Sequence, residues 1–90
     1  MDVDRIRQKV YAAARSVMAD LGQPAPEVFT GREALEVDLG FASLERIEFL
    51  TRVEQDTGQP LGVAGLNVSP VDVWDLVTLD DVIAYVGAHA

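Results

Sequence analysis

Asp38-Leu39-Gly40-Phe41-Ala42-Ser43-Leu44-Glu45 is the stretch on which the reading of this chain turns. A loop containing glycine runs into an amphipathic helix, and a serine stands at the join. The start of a helix exposes backbone N–H groups that no intrahelical carbonyl meets, and the helix dipole adds positive character there. Such a start favours an attached or approaching phosphate. Gly40 lets the chain turn and leaves space beside the serine. Phe41 and Leu44 are expected to anchor the turn in the core, so that Ser43 points outward. The plainer reading makes Ser43 only the helix N-cap, a position that serine prefers. Local physics leaves both readings open.

Working outward, residues 43–57 read as a helix. Leu44, Ile47, Leu50 and Val53 form a narrow apolar stripe with Phe49 off its centre, and Glu45, Glu48, Arg52, Gln55 and Asp56 lie on the other face. Gly58 and Pro60 end it. Upstream, residues 22–42 form a long connection carrying Phe29, Leu35, Val37 and Leu39. No partner strand is evident for 35–39, so an ordered loop that plugs apolar side chains into a helical core is preferred, with a helical turn near Gly31–Leu35 as an option. Loops of this length in compact domains usually carry function or further structure. Before it, residues 4–21 read as a helix, with Ile6, Val10, Ala13 or Ala14, Val17 and Leu21 on one face and Val3, Tyr11 and Met18 widening it. Asp2 or Asp4 caps its start, and Gly22, Pro24 and Pro26 stop it.

Downstream, residues 58–68 form a glycine-rich apolar loop whose glycine spacing matches no phosphate-binding signature. Ser69-Pro70-Val71-Asp72 is a capping box with proline at the first helical position, opening a short helix that ends near Leu76. Thr78-Leu79-Asp80-Asp81 is a second capping box, opening a helix through about Gly87 with Leu79, Val82, Ile83 and Val86 on one face. The expected fold is all-α: a single domain over residues 1–90, built as a four-helix bundle with a long loop between the first and second helices and a short third helix.

Composition limits what such a domain does. Ninety residues hold fifteen acids against seven bases, a net charge of −8, with 49% apolar residues. That surplus has the wrong sign for nucleic acid, which needs Lys and Arg to displace counterions. A single lysine, Lys9, rules out a phosphate-loop Gly-Lys pair. There is no cysteine, which removes disulfides, thiolate metal sites and a nucleophilic thiol of the protein. One histidine, His89, is too little for a His-based metal site or a Ser-His-Asp relay, and no nucleophile elbow surrounds Ser43. No enzyme activity and no metal are therefore expected. No apolar run is long enough to span a membrane, and Met1-Asp2-Val3-Asp4 lacks the pattern of a secretory signal. A cytoplasmic monomer is expected.

Asp38-Leu39-Gly40-Phe41-Ala42-Ser43-Leu44 resembles the attachment motif of acyl carrier proteins, commonly Asp-Leu-Gly-X-Asp-Ser-Leu. The ending from Trp74 to Val86, with Thr78-Leu79 opening a last helix that closes in Tyr85-Val86, is also similar to that family, as is the helix order. The resemblance covers nearly the whole chain. It implies that Ser43 carries a 4′-phosphopantetheine arm through a phosphodiester, with Gly40 and Leu44 completing the attachment site. The arm supplies the thiol, so a chain without cysteine can carry thioesters. A phosphopantetheinyl transferase is the implied modifying partner. Acyl-loading, ketosynthase or other acyl-processing enzymes are the implied clients. Phe41-Ala42-Ser43 lacks the Gly-Gly-His/Asp-Ser pattern of peptidyl carriers, which favours polyketide or fatty-acid type assembly, with a tilt to polyketide or other specialised biosynthesis.

The resemblance also gives the charges a role. Residues 33–81 hold eleven acids and two bases, Arg46 and Arg52, whereas residues 1–20 hold three acids and four bases. Glu45, Glu48 and Gln55 are similar in placement to the recognition face that carriers offer to basic partner patches. Complementary charge speeds encounter and sets orientation more than it adds affinity. Trp74 and Tyr85 are expected to pack in or at the rim of the core, and Leu61, Val63, Leu66 and Val68 to edge a groove for the acyl chain. One departure stands out. Ala42 occupies the place where the family usually has aspartate, an acid that helps the transferase and its metal ion engage the carrier. The alternative reading is an unmodified carrier-like interaction module that docks through its acidic second helix.

Overall fold

The computed structural model describes residues 2–58 and 76–88. They form three helices, α1 (Val3–Asp20), α2 (Ser43–Thr57) and α3 (Leu79–Ala88), and no strand occurs among the described residues. The all-α class is as expected. The short helix anticipated between Ser69 and Leu76 falls almost wholly outside the described residues, as do Trp74, the capping box at Ser69 and the proposed groove residues Leu61, Val63, Leu66 and Val68.

The Asp2 carboxylate caps α1 by accepting the Asp4 N–H at 3.3 Å. Ile6, Val10, Ala13, Ala14, Val17 and Met18 form its buried face. Leu21 and Val3 were expected on that face and are exposed instead. Both stand at the ends of α1, Val3 as its first residue and Leu21 as its C-cap, beyond the buried stretch from Ile6 to Met18. The helix packs on both α2 and α3. Its face meets Phe49, Leu50 and Val53 of α2 and Leu79, Val82, Ile83 and Val86 of α3 in one apolar cluster. The α3 stripe is the anticipated one. Lys9 ties α1 to the far end of α2 by donating to the Asp56 carbonyl.

The α2 stripe needs correction. Its buried residues are Phe49, Leu50, Val53 and Thr57, whereas Leu44 is 72% and Ile47 38% exposed. Leu44 lies nine residues before Val53, about two and a half turns, and so on the opposite side of the helix. Phe49, expected off centre, is completely buried and packs against Phe41, with ring centroids 5.4 Å apart and planes tilted by 43°. The larger ring gains more by leaving water than Ile47 does, and that sets the rotation of the helix.

The connection between α1 and α2 is ordered by plugs and ties. Phe29, Leu35, Leu39 and Phe41 are buried in the shared core. Arg15 of α1 donates to the carbonyls of Pro26 and Glu27 and lies over the Phe29 ring at 4.8 Å, while Tyr11 packs on the same ring. Residues 31–35 then cross the segment leading into α3. Leu35 N–H donates to Val77 O (2.8 Å), Leu79 N–H to Glu33 O (3.2 Å) and Asp80 N–H to Gly31 O (2.8 Å), around a single antiparallel bridge between Ala34 and Thr78. Gly31 has φ +92°, a conformation that side chains disfavour, and a Cβ there would meet the Asp80 carboxylate, so this crossing favours glycine.

Residues 35–39 form a helical turn, a few residues later than the anticipated one at 31–35. The N–H groups of Asp38 and Leu39 donate to Ala34 O, and that of Gly40 to Glu36 O. A turn has no two-residue alternation, so Val37 points outward, 84% exposed, while Leu35 and Leu39 point in.

Candidate functional site

The site is built backward from this turn. The Asp38 carboxylate accepts the Ala34 N–H at 2.7 Å and so closes the turn from below. Gly40 leaves it with φ +73°, a left-handed conformation that a side chain disfavours, and its Cα faces the Gln23 carboxamide. Phe41 N–H returns to Leu35 O at 2.9 Å, and the ring enters the core completely. Phe41 therefore provides the expected anchor, and Leu44 does not. With Phe41 held inside, Ala42 adopts an extended backbone as the N-cap and Ser43 becomes the first helical residue.

Ser43 is therefore not the cap. Ala42 holds that position with no side-chain cap bond, and only half of a capping arrangement forms: Glu45 Oε1 accepts the Ala42 N–H at 3.2 Å. The helical bonds begin with Arg46 N–H donating to Ala42 O at 2.8 Å. The N–H groups ahead of it belong to the helix's unpaired first turn. Ser43 is exposed, and its hydroxyl makes no hydrogen bond among the described residues. A hydroxyl so placed reaches solvent beside a positive helix end, beside the exposed Leu44. That arrangement suits a phosphodiester on the serine oxygen.

The expected recognition residues separate into different duties. Gln55 is exposed. Glu45 is half-buried and turned back on the cap. Glu48 pairs with Arg52 one turn on at 2.7 Å. Arg52 also meets Asp20 of α1 at 2.5 Å and donates to Ser16 Oγ, so it joins the two helices rather than merely interrupting an acidic face. The hydrogen bond to Asp20 raises the Arg52 guanidinium above its ordinary value. Arg46 lies 3.9 Å from Glu36 with its side chain largely covered. The i, i+4 spacing of Glu48 and Arg52 is visible in sequence. The reach to Asp20 requires knowing how α1 and α2 cross.

Glu33 is a further residue that pattern reading missed. Its two carboxylate oxygens accept the N–H groups of Thr30 and Gly31, each at 2.8 Å. Burial pushes its carboxyl up, but these backbone bonds outweigh burial and hold it below the usual carboxylate value. Among the described residues no group of side chains is arranged to hold a metal ion, and no helix is long and apolar enough to cross a membrane.

No protein-family model matches this chain, and neither a curated protein nor a solved structure matches it.

Proposed function

We propose that this chain is an acyl carrier: it tethers acyl intermediates as thioesters on a 4′-phosphopantetheine arm attached to Ser43 and delivers them to partner enzymes, in polyketide or other specialised biosynthesis. The observation that carries the reading is an exposed Ser43 hydroxyl at the first position of α2, not used as a cap, on a helix start fixed from below by Phe41 and Gly40. A carrier needs only that from its serine. The transferase brings the base and the metal ion, and the arm brings the thiol. The tether then holds the acyl group at high local concentration near each bound client. A phosphopantetheinyl transferase and acyl-loading or ketosynthase-type enzymes are the partners this role requires.

The test is intact-mass measurement after incubation with coenzyme A, magnesium and broad-specificity transferases. A gain of one phosphopantetheine in the wild type, absent in Ser43→Ala, supports the carrier. No gain with any transferase would sink it.

A second reading is favoured by one observation. Leu44 and Ile47, rather than lying in the core, are exposed on α2 beside Glu45 and Glu48, with Ala42 in place of the acid that a transferase engages. On that reading the chain is an unmodified interaction module that docks through this mixed apolar and acidic face. It predicts that the chain captures its partner equally well as Ser43→Ala.

A further inference from the structure

We propose that the crossing of residues 30–34 with residues 77–81 is an acid-released clasp that holds the turn presenting Ser43. Three carboxylates hold backbone N–H groups around one short crossing. Glu33 takes those of Thr30 and Gly31, Asp81 Oδ2 takes those of Val77 and Thr78 at 3.0 Å each, and Asp38 takes that of Ala34. The two segments of the crossing are joined by the backbone bonds from Leu35, Leu79 and Asp80. The turn that leads to Ser43 starts from the same residues, through the Ala34, Leu35 and Glu36 carbonyls. Whatever loosens the clasp frees the turn.

The clasp is made of carboxylates acting as acceptors, without a cation on Glu33 or Asp81 among the described ion pairs. The charged and titratable groups around it are Asp80 from α3, Tyr11 and Arg7 from α1, and Arg32, Glu36 and Asp38 from its own segment. Asp80 and Glu33 both lie close enough to Tyr11 to hold its phenol protonated, although burial acts on it more strongly. A protonated carboxyl loses one acceptor and gains a donor facing an N–H group. The clasp is whole above the ordinary carboxylate range, and it opens as pH falls through the lowered value of Glu33. The helices do not share this arrangement. They are held together by a shared apolar core that carries no proton, with the Arg52–Asp20 pair and the Lys9 bond as polar ties at its surface, so the turn is the part that acid releases first.

The inference concerns how the proposed Ser43 site is regulated, but its test needs no modification of Ser43, so failure of the carrier reading leaves it standing. Amide hydrogen exchange is followed by NMR on the full chain while pH is lowered, with carboxyl titration of Glu33 and Asp81 in parallel. The amides of Leu39, Gly40 and Phe41 should lose protection by on the order of tenfold for one charge-assisted bond lost, with a midpoint that tracks Glu33, while Val10 and Val53 stay protected. Glu33→Gln presents one donor where an acceptor is needed, and should reproduce the loss at neutral pH. Loss of protection in the turn only together with Val10 and Val53 would overturn the clasp, as would a Glu33→Gln chain with unchanged turn protection. The wild-type titration decides the matter if the variant does not fold.

Discussion

The starts of α2 and α3 are built from the same kinds of residue and finished differently. At α3, Thr78 Oγ1 accepts the Asp81 N–H at 3.2 Å, Asp81 accepts the Thr78 N–H in return, and Leu79 is completely buried. The end is closed by a reciprocal capping box. At α2 the cap position holds Ala42, only Glu45 reaches back, and Ser43 and Leu44 stand in solvent. A helix end that exists to be packed satisfies its donors from within. An end that leaves them open beside an exposed hydroxyl has given up local stability, and the proposed attachment to Ser43 is what that opening would serve.

Phe41→Ala removes the buried ring that holds the α2 start in place, and should cost about 3–5 kcal/mol in urea unfolding. A loss below about 1 kcal/mol would show that the start is held by other means. Thr78→Ala opens the closed end, and should cost about 1 kcal/mol. Ala42→Asp and Ala42→Asn should each close the open end, adding about 1 kcal/mol. These two variants also separate capping from transferase recognition. If the acid itself is read, Ala42→Asp speeds phosphopantetheine transfer and Ala42→Asn does not. Equal rates in both would attribute any change to the cap alone. Glu48→Gln should have the smallest effect, within about 0.5 kcal/mol, because the pair is half exposed and Arg52 keeps Asp20.

Much of this difference was written in the sequence, though not all of it. The α3 stripe and its capping box were legible because the apolar spacing and the Thr-x-x-Asp pattern agree on one register. The α2 register was not. Leu50 and Val53 belong both to the stripe that starts at Leu44 and to the one that runs through Phe49, and periodicity cannot choose between them. The burial of Phe49 against Phe41 chooses, and that contact joins residues in different elements. The turn at Gly40 and the anchoring by Phe41 could be read from local chemistry, whereas local chemistry left open whether Ser43 caps the helix, and the structure gives that position to Ala42. The duties of Glu33 and Asp38 could not be read this way, because the N–H groups they accept, two to four residues back, come within reach only in the irregular turns of residues 30–38, which no periodic pattern signals. The apolar spacing of Leu35, Val37 and Leu39 also pointed two ways, and the helical turn resolved it by turning Val37 outward.

The most direct test is to locate the arm. The chain has three serines, Ser16, Ser43 and Ser69. Ser16 accepts a hydrogen bond from Arg52, whereas Ser43 stands exposed at the open end of α2. After incubation with coenzyme A, magnesium and a transferase, fragment-ion mass spectrometry should place one phosphopantetheine on Ser43 and none elsewhere. An arm on another serine, or an unmodified chain under every transferase tried, would contradict the assignment of Ser43 as the carrying residue.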